Sequence, residues 1–301
     1  MLRSTFLYLS RSQILRRWME GSRVSQKFTR RFVAGETIEE ELAVCQRLHQ
    51  EGIFSTLDHL GENVTTLAEA AAACDVYVNV LDQIGVAKLP STIAIKLTQF
   101  GLDLSEEACL DNVRRLEAKS KEVGSRVEID MESSAYTERT VAMALKAGQE
   151  CGCVRVCIQA YLFRSAADIE RLNAAAVPVR LAKGAYREPG TVAFPRKSDV
   201  DRNYVALMKL LLEHGTYPAL ATHDERIIQE ALEYVEGRGI RRDSFEFQML
   251  YGIRRDLQQR LVRQGYRLRL YVPYGTEWYP YFMRRLAERP ANLWFVLKNL
   301  F

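Results

Sequence analysis

The chain is expected to adopt an α/β fold in which eight parallel strands close into a (βα)8 barrel, and three observations carry that expectation. From about residue 50 onward, short β-prone runs alternate with helical runs, the pattern of a parallel sheet whose strands are joined by helices. The β-prone runs number eight, and 301 residues suffice for such a barrel as one domain. Residues able to do chemistry also gather where the strands end, as function on a barrel requires.

Taken in order, the strands are expected at residues 53–57, 93–97, 126–130, 154–158, 178–182, 219–222, 245–249 and 268–271, each a short run rich in Val, Ile, Leu or Phe. Helices are expected between them at 65–80, 106–123, 138–150, 166–175, 200–214, 225–238 and 254–264. Ser105 and Asp224 stand where N-caps belong, directly before Glu106 and Glu225. A doubly wound open sheet is the competing architecture. It would usually carry a Gly-rich phosphate turn after its first strand, whereas here that strand runs into Asp58, His59, Leu60 and Gly61, and no G-x-G-x-x-G occurs.

Residues 1–48 are read as an N-terminal helical segment and 49–301 as the barrel. The net charge of +4 is concentrated at the start: residues 1–35 hold eight Arg or Lys and one acid, Glu20. The remainder is about neutral, which argues against a nucleic-acid-binding field. The basic segment suits an organellar transit peptide, an amphipathic helix on an anionic membrane, or a helix packed on the barrel, the last being preferred. Six cysteines (Cys45, Cys74, Cys109, Cys151, Cys153 and Cys157) form no C-x-x-C pair and match no zinc spacing with the four histidines, so no metal is expected. No run approaches 18 apolar residues, so no membrane span is expected.

The strand ends carry Asp58, Lys96, Asp130, Gln159, Arg180 with Lys183, Thr222 with His223, Gln248, and Tyr271. Charged groups in a barrel interior are costly unless paired or given a ligand. Lys96 and Asp130, on neighbouring strands, are expected to pair, either within a site or only to close the barrel mouth. Arg180 and Lys183, followed by Gly184 and Ala185, are expected to form a cationic rim with close backbone approach, suited to an electron-rich cofactor or to a phosphorylated substrate. Thr222 and His223 open a helix, where phosphate or ribose hydroxyls are well received. Near the C-terminus, Arg284, Arg285 and Glu288 share a helix, the arginines able to straddle a carboxylate and the glutamate able to orient them or meet a cation. Taken alone, that string is better explained as a solvated helix face.

Six segments in order, at 93–104 (IAIKLTQFGLDL), 129–133 (IDMES), 158–161 (IQAY), 179–189 (VRLAKGAYREP), 221–224 (ATHD) and 281–292 (YFMRRLAERPAN), resemble the monofunctional bacterial proline dehydrogenases. The resemblance runs from about Arg30 to the C-terminus. It implies a distorted TIM-type barrel with a C-terminal helix over its mouth, FAD as cofactor, and oxidation of L-proline to Δ1-pyrroline-5-carboxylate. By residue, it implies Arg284 and Arg285 on the proline carboxylate, Glu288 by the ring amine, and Tyr271 and Lys96 as pocket walls. Asp130 and Arg180 would be catalytic, and Met131, Gln159, Arg180, Lys183, Gly184, Ala185, Thr222 and His223 would contact FAD. It further implies a membrane quinone as electron acceptor, a separate pyrroline-5-carboxylate dehydrogenase as consumer of product, and a cytoplasmic location with peripheral contact at the inner face of the membrane.

Proline oxidation then moves a hydride from C5 to flavin N5 while the amine becomes an imine, and a carboxylate near the amine favours the charge that develops. A hydroxyproline-oxidising relative is the near alternative, against which the bulk of Tyr271 speaks. A barrel enzyme for a phosphorylated substrate would leave Tyr271 and the arginine pair idle. A non-catalytic membrane scaffold would account for the N-terminus alone.

Overall fold

Eight parallel strands pair in chain order and the last closes on the first, so the computed structural model is a complete barrel, β1 to β8. It describes residues 30–61, 64–279 and 281. The strands are β1 (Phe54–His59), β2 (Ser91–Ile95), β3 (Val127–Ile129), β4 (Val154–Gln159), β5 (Val179–Ala182), β6 (Ala219–Ala221), β7 (Glu246–Leu250) and β8 (Leu268–Tyr274). The helices are α1 (Ile38–Gln50), α2 (Leu67–Ala87), α3 (Glu106–Glu122), α4 (Thr137–Glu150), α5 (Ser165–Ala174), α6 (Lys197–His214), α7 (Glu225–Arg238) and α8 (Arg255–Arg263).

Helix starts follow local chemistry. Thr37 and Thr66 each form a capping box, with Glu40 and Glu69, satisfying amide groups that the first turn cannot. The expected caps are present: Ser105 accepts from Ala108 N–H and Asp224 from Arg226 N–H. The strand limits shift from expectation by a residue or two on most strands, and two of the shifts have a local cause. β2 stops at Ile95, because Lys96 begins a 3₁₀ turn (Leu97–Phe100), and β8 runs three residues past Tyr271.

The strands alternate strictly, and the alternation is the reverse of a greasy barrel. Residues such as Leu57, Ile93, Ile129, Val156, Leu181, Phe247 and Leu270 face the helices and join them in one large apolar core. Their alternate neighbours, Thr56, Thr92, Glu128, Arg155, Arg180, Glu246 and Arg269, are buried as well but meet one another inside the barrel. Stability therefore comes from the outer layer, at about 1.5–3 kcal/mol for each large side chain buried there. The inner layer offsets its own desolvation only by pairing.

The expected boundary between residues 48 and 49 falls within α1, which packs on β1 and β8 through Val44, Cys45 and Leu48 and so covers the closing seam. Upstream of it, residues 31–35 run along the rim: Ala34 N–H donates to Pro273 O at 2.9 Å, Gly275 N–H donates to Gly35 O at 3.0 Å, and Arg31 Nε donates to Gly252 O at 3.5 Å. Gly252 has φ +75°, and a Cβ there would collide with Arg31 O. After β8, Trp278, Tyr279 and Tyr281 are buried with Phe32, Val33, Leu60 and Ile253, which ties the start of the C-terminal segment to the rim. Among the described residues, no helix is long and apolar enough to cross a membrane.

Candidate active site

Asp130 lies just past the end of β3 and collects three partners. Arg180 from β5 donates to its Oδ1, Tyr271 from β8 donates to Oδ2 at 2.7 Å, and Lys96 Nζ lies 3.9 Å from Oδ2. The Arg180 guanidinium also sits over the Tyr271 ring, 5.7 Å from its centre. Burial pushes the Asp130 carboxyl up, but Arg180, then Lys96 and the Tyr271 hydroxyl outweigh it and hold it below the ordinary range. Burial first and Asp130 second push the Tyr271 phenol well up, so it remains a hydrogen-bond donor at neutral pH. Burial alone would lower the Arg180 pKa; Asp130 and its other anionic neighbours reverse this.

The expected Lys96–Asp130 pair is present but secondary. Lys96 is closer to Asp58, at 3.1 Å, because it emerges at the end of β2 between the carboxylates of the two flanking strands. Asp58 is almost wholly buried, so this contact gives it a partner in place of water.

Arg180 and Lys183 do not form a joint cationic rim. Arg180 points into the barrel, whereas Lys183, beyond the strand end, is held by Asp201 at 2.5 Å and Asp224 at 2.8 Å. Each cation thus meets carboxylates of its own, which weakens the case for a phosphorylated substrate.

The remaining rim residues surround this point. Gln159 Nε2 donates to Glu132 O at 2.8 Å, and its Oε1 accepts from Ala185 N–H at 3.3 Å, linking the loops after β3, β4 and β5. Gly184 has φ +116°, and a Cβ there would strike the Tyr161 ring, so the exposed Gly184 and Ala185 make a low platform that only a minimal side chain allows. Thr222 Oγ1 accepts from Asp224 N–H at 3.1 Å, and His223 Nε2 accepts from Leu250 N–H at 2.9 Å. Met131 is buried in the apolar core. Gln248 lies below the mouth, donating to Glu246 Oε1 at 2.8 Å and Glu128 Oε2 at 3.1 Å, because β7 continues two residues past it. Arg284, Arg285 and Glu288 lie outside the described residues.

Sequence reasoning missed the layer beneath. Arg155 Nη1 bridges Glu128 at 3.0 Å and Glu246 at 2.5 Å, and Arg269 Nε donates to Glu246 at 2.9 Å. With the mouth residues, four cations (Lys96, Arg155, Arg180, Arg269) face four carboxylates (Asp58, Glu128, Asp130, Glu246), so these groups balance in charge. The signal was present as polar residues two apart on one strand face, Glu128 with Asp130, Glu246 with Gln248, and Arg269 with Tyr271. Glu132 was also missed; it accepts from the backbone and hydroxyl of Thr98 and steadies the loop after Asp130.

Comparison with known proteins places the site in context. The family model for proline dehydrogenase matches residues 42–298. The chain is 43% identical to proline dehydrogenase 1 of Bacillus subtilis subsp. natto over 302 aligned positions, covering 100% of this chain and 99% of that protein. It is 42% identical to the proline dehydrogenase of Deinococcus radiodurans, with 90% and 89% covered. Among solved structures, proline utilization A from Bdellovibrio bacteriovorus, inactivated by N-propargylglycine, superposes with a TM-score of 0.82 at 26% identity over 88% of this chain. That protein is longer, and the match spans 33% of it.

Proposed function

The chain belongs to the proline dehydrogenase family, and on that premise we propose that it oxidises L-proline to Δ1-pyrroline-5-carboxylate with FAD as cofactor. The observation that carries this reading is the pre-paired mouth, where Asp130, just past the end of β3, is held by Arg180 of β5, Tyr271 of β8 and Lys96 at the end of β2. An ionised, immobile carboxylate beside a phenol and two cations needs little reorganisation when charge develops on a substrate.

The donor set also fits FAD. Gly184 and Ala185 offer a platform without bulk, and Gln159, Lys183, Thr222 and His223 supply polar contacts around it. Arg180 would lie on the inner side and Met131 would add an apolar contact. Bound FAD supplies the acceptor for the C5 hydride and returns electrons to a membrane quinone. Arg284 and Arg285 would hold the proline carboxylate, Glu288 would stand by the amine, and Tyr271 and Lys96 would wall the pocket. Tyr271 is fixed by both Asp130 and Arg180, so its ring has little room to yield to a ring hydroxyl, which supports proline over hydroxyproline.

Residues 49–301 would form the catalytic barrel, with 1–48 as an N-terminal helical segment whose residues 1–35 aid peripheral contact at the inner face of the cytoplasmic membrane. A separate pyrroline-5-carboxylate dehydrogenase would consume the product. The test is the visible spectrum of the purified protein: an oxidised flavin that bleaches on anaerobic addition of L-proline is expected. A flavin-free protein, or a spectrum unmoved by proline, overturns the reading.

A further inference from the structure

Arg180 divides its guanidinium between two carboxylates at different depths. Nη2 donates to Asp130 at the mouth, and Nη1 lies 3.5 Å from Oε2 of Glu128, two residues earlier on the same strand β3. Glu128 is almost fully buried and cannot move: Arg155 donates to it at 3.0 Å, Thr92 at 3.1 Å and Gln248 at 3.1 Å. Arg155 is in turn locked by Glu246 and by Tyr217 O at 3.2 Å. A rigid anion beneath one arm of a guanidinium and a catalytic anion beside the other leave the plane of that guanidinium little freedom.

We propose that Glu128 is a positioning residue for the proline-oxidising reaction: it anchors the inner arm of Arg180, thereby aiming the outer arm at Asp130, and its charge balances the cations of the barrel floor. The assignment rests on the flavin-dependent reading above. Its physical content has two parts. Loss of the anchor lets Arg180 tilt, which slows the chemical step without disturbing the carboxylate-binding arginines on another segment. Loss of the charge leaves the balanced set with one excess cation, which favours the more negative, reduced form of a flavin nearby.

The test compares holoenzyme carrying Glu128→Gln with wild type and with the charge-balanced double variant Glu128→Gln/Arg155→Gln, measuring flavin midpoint potential and proline kcat and KM. In Glu128→Gln the two-electron equilibrium should shift about tenfold toward reduction, about 30 mV upward. Its kcat should fall about tenfold while KM stays within about twofold. In the double variant the potential should return to the wild-type value with kcat still low. A wild-type potential and kcat in Glu128→Gln, with flavin bound and bleached by proline, overturns the role of Glu128 and leaves the proline activity standing. If the single variant fails to fold, the double variant decides: a wild-type kcat there overturns the role. Wild-type protein without proline-reducible flavin would instead strike the functional reading.

Discussion

The Tyr271 hydroxyl reaches Oδ2 of Asp130 at 2.7 Å, joining β8 to β3 over the ends of the two strands between them. The contact closes a ring of groups that a linear reading of strand ends cannot pair. On the proposed reading the phenol then has two duties, as a wall of the pocket and as a donor that keeps the carboxylate in place. Tyr271→Phe keeps the wall and removes the donor. A hydrogen bond to a charged group contributes about 1.5–3 kcal/mol, so proline kcat/KM should fall by about 10- to 100-fold with flavin content unchanged. Steady-state kinetics with a soluble quinone checks this.

On the proposed reading Arg285 meets the substrate carboxylate, and truncating one partner of a desolvated charge pair costs about 2–5 kcal/mol, so Arg285→Ala should raise the proline KM steeply while flavin stays bound. Proline kinetics at the wild-type level would remove the carboxylate role from the arginine pair.

Gly184→Ala would force a side chain toward the Tyr161 ring at a backbone φ of +116°. The loop after β5 must shift, and the platform with it. The expected result is weakened retention of FAD, read as a lower flavin-to-protein absorbance ratio after gel filtration, with the far-ultraviolet circular dichroism of the barrel preserved.

Glu117 on α3 is buried with no hydrogen-bond partner for either oxygen. Burial raises its pKa to about 7, offset in part by the nearby Cys153 backbone. The unfolded carboxyl titrates near 4.5, so the folded state holds more protons between about 4.5 and 7, and stability falls as pH rises through that window. Glu117→Met removes the dependence. It should stabilise the protein by on the order of 2 kcal/mol at pH 8 and by much less at pH 5, measured by urea unfolding at both.

The fold was legible because β-branched runs and capped helices alternate without interruption, and each expected strand overlaps an observed one. β2 and β8 were misjudged for a physical reason: Lys96 has strand-like neighbours but turns into a 3₁₀ segment, and Pro273 in β8 reads as a breaker although the strand continues through it. The mouth residues were legible as types, whereas their pairings were not. Lys96 has two acids within reach, and only geometry shows Asp58 to be nearer. The floor of Glu128, Arg155, Glu246 and Arg269 was overlooked since a barrel interior was taken to be apolar, and a buried charge leaves no mark in hydropathy until its partner is known.

The strap at residues 31–35 has a practical consequence. Because it is hydrogen-bonded to the rim beside β8, the strap holds Arg31 at the end of the barrel where the proposed site lies. That tether makes the position useful: on the flavin-dependent reading proposed above, a fluorophore attached at Arg31 would sit close enough to the mouth to be quenched by bound flavin, turning the strap into a reporter of cofactor loading.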